Sequence, residues 1–426
     1  MSGQVELRID RIAAGGAGVG RAADGRVLFV QRTAPGEVVR VEVIEQKPRW
    51  ARGRLLRVLE PAPERRVAPC PLYERCGGCA LQHLEYEAQL AAKRGLAADA
   101  LRRIGSVSLA DDIPITGSPR EFRYRNRVSF RLRRLGQRVV TGFHELDRPA
   151  HVLDVDERCL LPEPPLAEAW GALRRNWGAG AGLLPAGGSL RLTLRTTASG
   201  RVTLLVEGGQ GRGEPEALLK RVPALATIWM NDDPPGTPAL AAGDGQLEET
   251  WGEEAVEVGG NVFLQVNRTA AALLEAHVLA VAGPVAGLRV VDAYCGIGLH
   301  ARRLARAGAQ AIGLELDPAA VAQANAAAPP GASFRQGLVE SLLPDALPAD
   351  LVILNPPRTG TTPLVLEALL AQPPAHIIYV SCDPATLARD TARLGARFAV
   401  HSLHCFDLFP QTAHVETVAE LACSTT

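Results

Sequence analysis

The chain has no net charge: 46 Lys and Arg are matched by 46 Asp and Glu over 426 residues. Binding to nucleic acid through overall charge is thereby excluded, and any such affinity must come from local patches. Lysine is nearly missing: Lys47, Lys93 and Lys220 are the only ones, and arginine supplies the other basic side chains. Arginine suits phosphate forks and stacked bases better than lysine does. No apolar run approaches the ~18 residues of a membrane span, and Met1-Ser2-Gly3-Gln4-Val5-Glu6 lacks a signal-peptide core. A cytoplasmic protein with no membrane association is expected. In that compartment the eight cysteines read as metal ligands, catalytic thiols and buried thiols before they read as disulfides.

What is present divides the chain into roughly two to three domains. Residues 5 to 60 alternate short apolar runs with glycine clusters, as at Val27 to Val30 and Val38 to Ile44, which predicts a small β-barrel. Its last stretch carries Lys47, Arg49, Arg52, Arg54 and Arg57 with no acid among them. These form either a solvated strand face or a phosphate-tracking surface, and the sequence leaves both open. A proline-rich linker follows from Pro61 to Pro71, and Gln82 to Arg103 has helical periodicity. Residues 120 to 208 look β-rich and contain the densest positive stretch. Alternation along a strand there would put Arg123, Arg125, Arg127 and Arg131 mostly on one face, an arrangement suited to RNA. From Val262 onward apolar strands alternate with helices, the α/β pattern of a mainly parallel sheet covered on both sides.

Three thiols, Cys70, Cys76 and Cys79, fall within ten residues, with Gly77 and Gly78 letting the backbone wrap; Cys159 is a possible fourth. Four thiolates suit tetrahedral zinc or an iron–sulfur cluster, and spacing alone leaves both open. Farther on, Val290-Val291-Asp292-Ala293-Tyr294-Cys295-Gly296-Ile297-Gly298 reads as a buried strand, a glycine turn and a helix start. Such a turn presents free N–H groups to a ligand. Glu315, closing the next strand, stands where an acid takes ribose hydroxyls. Asp292, the two glycines and Glu315 point to S-adenosylmethionine rather than a nicotinamide, with Cys295 as a packing residue.

The end of the chain supplies reactive groups. Cys382, in Ser381-Cys382-Asp383-Pro384, follows an apolar strand on a tight turn, and Glu416 lies downstream. A thiolate adding to C6 of uracil makes C5 nucleophilic enough to take a methyl group. A base such as Glu416 then removes the C5 proton so that the thiol can leave. Asn355-Pro356-Pro357-Arg358 ends another strand, where prolines fix carbonyls facing a planar base and Arg358 can hold a phosphate or an acid.

These residues together resemble the RNA uracil-5-methyltransferase family, in particular its 23S ribosomal RNA branch with a TRAM domain and an iron–sulfur cluster. The resemblance rests on the cysteine spacing, Tyr124-Arg125-Asn126-Arg127, Phe263-x-Gln265-x-Asn267, the glycine loop, Asn355-Pro356-Pro357-Arg358, Ser381 to Asp390 and Asp407 to Glu416. It implies a Rossmann-like S-adenosylmethionine-dependent methyltransferase domain, an N-terminal TRAM (OB-like) barrel and a β-rich central domain. The expected boundaries are 1–60 for the barrel, 61–92 with 120–255 for the central domain, and 93–119 with 256–426 for the catalytic domain. By the resemblance Cys382 is the nucleophile and Glu416 the base. Gln265, Tyr294, Gly296, Gly298, Glu315 and Asn355 lie at the cofactor, and Cys70, Cys76, Cys79 and Cys159 hold a 4Fe-4S cluster. The partner is structured RNA, with a monomer and no obligate protein partner expected. Asn355 stands where the family has Asp, Tyr294 where Phe is usual, and Leu338 where an Asn or Asp would face adenine. Three other readings follow: a transfer-RNA target, disfavoured by the barrel and the cluster; amino-methylation through Asn355; and a non-catalytic RNA-binding iron–sulfur protein.

Overall fold

A computed structural model of the chain describes residues 4–107, 112–136, 138–231, 238–251, 254–258 and 264–424. Phe263, grouped above with Gln265, lies outside the described residues. The chain forms two compact units, one of residues 1–65, 84–119 and 269–426 and the other of residues 66–83 and 120–268.

The first unit begins with β1 (Gln4–Ile12), β2 (Gly18–Arg21), β3 (Val27–Val30), β4 (Val38–Gln46) and β5 (Trp50–Glu60), closed as a barrel in the order β1-β2-β3-β5-β4. Alternation sends Leu7, Ile9, Leu28, Val30, Val39 and Val41 to its core. The basic run of β5 is not free of acids in space. Arg54 pairs with Glu42, and Arg52 and Lys47 with Glu45, because the neighbouring strand β4 supplies what the local sequence lacks. Next come α1 (Tyr86–Arg103) and the short β6 (Ile115–Thr116).

The second unit is built on β7 (Arg127–Leu135), β8 (Arg138–His144), β9 (Val152–Asp154), α2 (Pro164–Asn176), β10 (Ser189–Thr196), β11 (Val202–Glu207), α3 (Pro215–Arg221), β12 (Leu225–Asn231) and β13 (Ala239–Gly243). A hairpin of β14 (Leu247–Trp251) and β15 (Glu254–Val258) follows. The seven strands β7 to β13 form one sheet, ordered β13-β12-β11-β10-β7-β8-β9. Val128, Phe130 and Leu132 face the helices, and Phe130 stacks on Trp170 with centroids 4.2 Å apart. The expected four-arginine face is corrected here. Strand β7 starts only at Arg127, so Arg123 and Arg125 precede it. Arg123 takes a positive φ of 55°, and Arg125 lies against the Tyr124 ring. Only Arg127, Arg131 and Arg133 share the face opposite the core.

The first unit is completed by α4 (Arg268–Ala282), whose first residue belongs to the second unit, and then β16 (Arg289–Ala293), α5 (Leu299–Arg306), β17 (Gln310–Glu315), α6 (Pro318–Ala326), β18 (Ala332–Gln336) and α7 (Val339–Ala346). After these come β19 (Leu351–Leu354), α8 (Pro363–Ala371), β20 (His376–Ser381), α9 (Pro384–Leu394), β21 (Phe398–Phe406) and β22 (Glu416–Cys423). Its eight-stranded sheet runs β18-β17-β16-β19-β20-β22-β21-β6. The first five strands in that order are mutually parallel, whereas β22 is antiparallel to both β20 and β21. Carboxyl ends of β16, β17, β19 and β20 therefore share one edge, where ligands of open α/β sheets sit. No helix among the described residues is long and apolar enough to cross a membrane.

Candidate active site

The register of the last strands decides the geometry. Ser381 pairs with Thr417 across the antiparallel β20–β22 ladder, so Cys382, one residue on, and Glu416, one residue before, meet at the same edge. Burial pushes the Cys382 thiol up to about 11, with Glu416 adding to the rise and the Arg358 guanidinium opposing it. Glu416 is buried at 3 % exposure. Its carboxyl is pushed up to about 7 by burial, again opposed by Arg358. A thiol, a carboxyl and a guanidinium thus converge from β20, β22 and the loop after β19.

Each is anchored locally. The turn at Cys382 is held by Ser381 Oγ, which donates to Asp383 O at 3.0 Å, while Asp383 caps α9 by accepting from Ala385 N and Thr386 N. The loop carrying Arg358 is tied to α9. Asp390 accepts from Thr361 N at 2.9 Å and from the Tyr379 hydroxyl at 2.8 Å, and Arg389 Nη2 donates to Thr359 O at 2.9 Å. The segment leading to Glu416 is held by side chains absent from the expected site. Lys93 on α1, fully buried, donates to Asp407 Oδ1 and to Phe409 O. Tyr86 adds a bond to Asp407 Oδ2 at 3.1 Å, and Gln89 and Gln411 exchange two bonds of 3.0 Å. A buried lysine within a helix was the available signal, but its partner lies 314 residues away.

The expected cofactor residues split between the units. Tyr294, Gly296, Gly298, Glu315 and Asn355 all belong to the sheet edge of the first unit, whereas Gln265 belongs to the second. There its carbonyl accepts from Asn126 Nδ2 at 3.0 Å. Tyr294 adopts φ 63° and Gly298 φ 75°. At Gly298 an added Cβ would lie 2.2 Å from the Phe334 ring, so only glycine fits. Glu315 accepts from Gly296 N at 2.9 Å, Leu316 N at 2.7 Å and Asp317 N at 2.9 Å, which fixes the glycine turn. Asp292 is fully buried, accepts from Ala301 N at 3.1 Å, and leaves Oδ1 without a partner. Burial, with Glu315 nearby, pushes its carboxyl up to about 7. Two neighbouring carboxylates, an orphaned buried oxygen and an α5 start without a side-chain cap fit a cationic nucleoside carrying hydroxyl donors. Cys295 packs beside Phe334 and Ala301, and burial raises its thiol. Leu338 is exposed at the start of α7.

The four cysteines expected to hold a metal line one cavity in the second unit, together with Tyr73, Gln82 and Phe143. Burial pushes Cys79 up to about 11 and Cys159 up to about 12, and in each case the other thiols add to the rise. Arg125 opposes the rise at Cys79. Among the described residues no three His, Cys, Asp or Glu side chains close on a point as ligands of a single ion. Four thiols lining one cavity, with Arg125 near Cys79, are of the donor type that thiolate-bound groups take.

Residues 3–56 match the TRAM domain, 290–372 a methyltransferase domain, and 342–422 the tRNA (uracil-5-)-methyltransferase family. An uncharacterized RNA methyltransferase of Gloeobacter violaceus is 36% identical over 98% of this chain and 96% of its own. A second, from Halalkalibacterium halodurans, is 31% identical over 98% of this chain and 96% of its own. Among solved structures, the Pyrococcus abyssi tRNA (uracil-54, C5)-methyltransferase in complex with S-adenosyl-L-homocysteine shares the fold. Its TM-score is 0.74 at 24% identity, covering 99% of this chain and 100% of that one.

Proposed function

The chain belongs to the RNA (uracil-5-)-methyltransferase family and is an S-adenosylmethionine-dependent enzyme, and from that premise we propose that it methylates C5 of one uridine in structured RNA, through a covalent bond between Cys382 and C6. The observation carrying this reading is the β20–β22 register, which sets Cys382 and Glu416 at one edge.

Tyr294, Gly296, Gly298, Glu315 and Asn355 hold the cofactor, which supplies an electrophilic methyl group. Cys382, as thiolate, forms the bond from Sγ to C6, and the C5–C6 double-bond electrons become available at C5 for that methyl. Glu416 then takes the C5 proton; the released pair restores the C5–C6 double bond and expels the Cys382 thiolate. A carboxyl near 7 suits a base working at neutral pH. Arg358 opposes the rise of both groups and so keeps the ionised thiol and carboxylate accessible. The uracil must leave its stack for C6 to meet the thiol. Cys70, Cys76, Cys79 and Cys159 hold a 4Fe-4S cluster that stabilises the second unit.

The fold does not separate the two RNA classes, because a protein named for transfer RNA matches 99% of this chain. The barrel therefore no longer argues against transfer RNA. The resemblance to the 23S branch makes 23S ribosomal RNA the first target to test, and trapping distinguishes the two classes. Enzyme, S-adenosylmethionine and RNA bearing 5-fluorouridine should give a denaturant-stable adduct at Cys382, because fluorine at C5 cannot leave as a proton. The attached fragment names the uridine and its RNA. Binding of both cofactor and RNA without an adduct overturns the covalent mechanism and leaves amino-methylation through Asn355.

A further inference from the structure

The first unit has a groove that the candidate active site does not use. It runs between one face of α1 and the side of the barrel, with a volume of about 540 Å³. Ile12 and Ala34 of the barrel and Leu84 just before α1 line it, and all three are buried. From the helix come Ala88, Ala91, Ala92 and Gly95, whose one-turn spacing puts them on one helix face. The other face of α1 carries Gln89 and Lys93, which hold the segment leading to Glu416.

Two features of the groove answer no contact inside the molecule. The first is Gly95. It lies in the interior of an 18-residue helix, where glycine is weaker than alanine or leucine. A Cβ added there would meet nothing within 4 Å, so no internal packing demands a glycine. Glycine at such a place admits a second backbone. The second feature is charge. Asp10, Glu64, Glu87 and Asp99 line the groove against Arg11 alone. Arg11 pairs with Asp99 at 3.4 Å. Asp10, Glu64 and Glu87 are exposed and have no ion-pair partner among the described residues. Elsewhere on the barrel exposed acids are matched, as Glu6 is by Arg40 and Glu42 by Arg54. A rim of this sign repels the phosphates of RNA and draws a basic surface.

We infer that the groove between α1 and the barrel seats a basic helix of a partner protein, with small side chains against Ala91 and Gly95 and lysine or arginine over Asp10, Glu64 and Glu87. From Glu87 to Asp99 the helical wall is about 18 Å long, and small residues on it let a second helix pack closely along it. An extended segment has nothing to join, because the barrel is closed and β1 is paired on both sides.

The test is a displayed library of helical peptides, selected on the full-length protein and counter-selected on Gly95→Leu, which fills the groove. Ala91→Leu fills it from an exposed position if Gly95→Leu does not fold. Both variants should melt no lower than the natural protein. The selected peptides should be basic. A labelled synthetic copy of one, followed by fluorescence anisotropy, should bind either filled variant about tenfold more weakly than the natural protein. Glu64→Gln combined with Glu87→Gln should weaken it by about the same factor and flatten its dependence on potassium chloride. Recovery of no peptide that discriminates against the filled variants overturns the inference, and so does recovery of acidic or uncharged ones. Filled variants that melt lower and bind the peptide with unchanged affinity make Gly95 a structural residue, which also overturns it. One-to-one binding of spermidine with no discriminating peptide makes the groove a polyamine site instead. Self-association of the natural protein on sedimentation, abolished by Gly95→Leu, gives the groove to a second copy of this chain and overturns the inference as well.

Discussion

At the residue scale, Glu416 and Cys382 were legible because each sits in a short motif whose chemistry is local. The sequence does not contain their environment, which comes from the antiparallel return of β22. Glu416 makes a test of that environment. Its carboxyl lies near 7, above its unfolded value, so the stability it contributes is complete below about pH 4.5 and is lost as pH rises through 7. Glu416→Gln should match the natural protein in acid and exceed it above pH 7, by on the order of 3 kcal/mol for a shift of this size, read by denaturant unfolding at several pH values. The same variant should accumulate the Cys382 adduct with unmodified RNA, since nothing removes the C5 proton. The pH–rate profile of the natural enzyme should rise through about 7, and an unchanged profile in Glu416→Gln would assign that limb to another group.

At the element scale, the loop between β21 and β22 is fixed by α1 rather than by its own sequence. Asp407 and Gln411 stand out in the sequence only as motif residues, and their buried partners Lys93 and Gln89 lie on a helix that reads as ordinary periodicity. Lys93→Met leaves Asp407 buried with only Tyr86 and the Phe409 amide as donors. It should cost about 3 kcal/mol of stability and reduce turnover by displacing Glu416, whereas Lys93→Met with Asp407→Leu should recover most of the stability. Comparing melting and turnover for the single and double variants checks this. Arg195 escaped notice for a related reason. One arginine in an alternating strand looks like a solvated face until the pairing shows what stands opposite and that the guanidinium is buried. Arg125 was misplaced because a strand period was extended past the true start of β7; its side chain serves the cysteine cavity.

At the scale of the whole molecule, the sheet edge with Cys382 and Glu416 belongs to one unit and the cavity lined by the four cysteines to the other. The α/β order and the barrel were readable from hydrophobic periods and turn residues. The central sheet was readable only in part: residues 120 to 208 read as β-rich, whereas α2 and the strands β12 to β15 beyond them were not anticipated. This division predicts how the cysteine site behaves. Cys70→Ser should lower the melting temperature and RNA affinity of the purified protein and bleach any visible absorbance. Methyl transfer per bound RNA should stay near normal, as single-turnover assays at saturating RNA would show. Loss of that rate with stability and affinity intact would place the cysteines in the chemistry instead.

The position of β22 has a consequence for synthesis. It lies between β20 and β21 yet follows both in the chain, so a nascent polypeptide that has emerged as far as β21 still has an open seam in its sheet. The barrel and the seven-stranded sheet of the second unit are complete well before that point. A growing or truncated chain that stops short of β22 therefore lacks the strand whose pairing sets Glu416 at the same edge as Cys382.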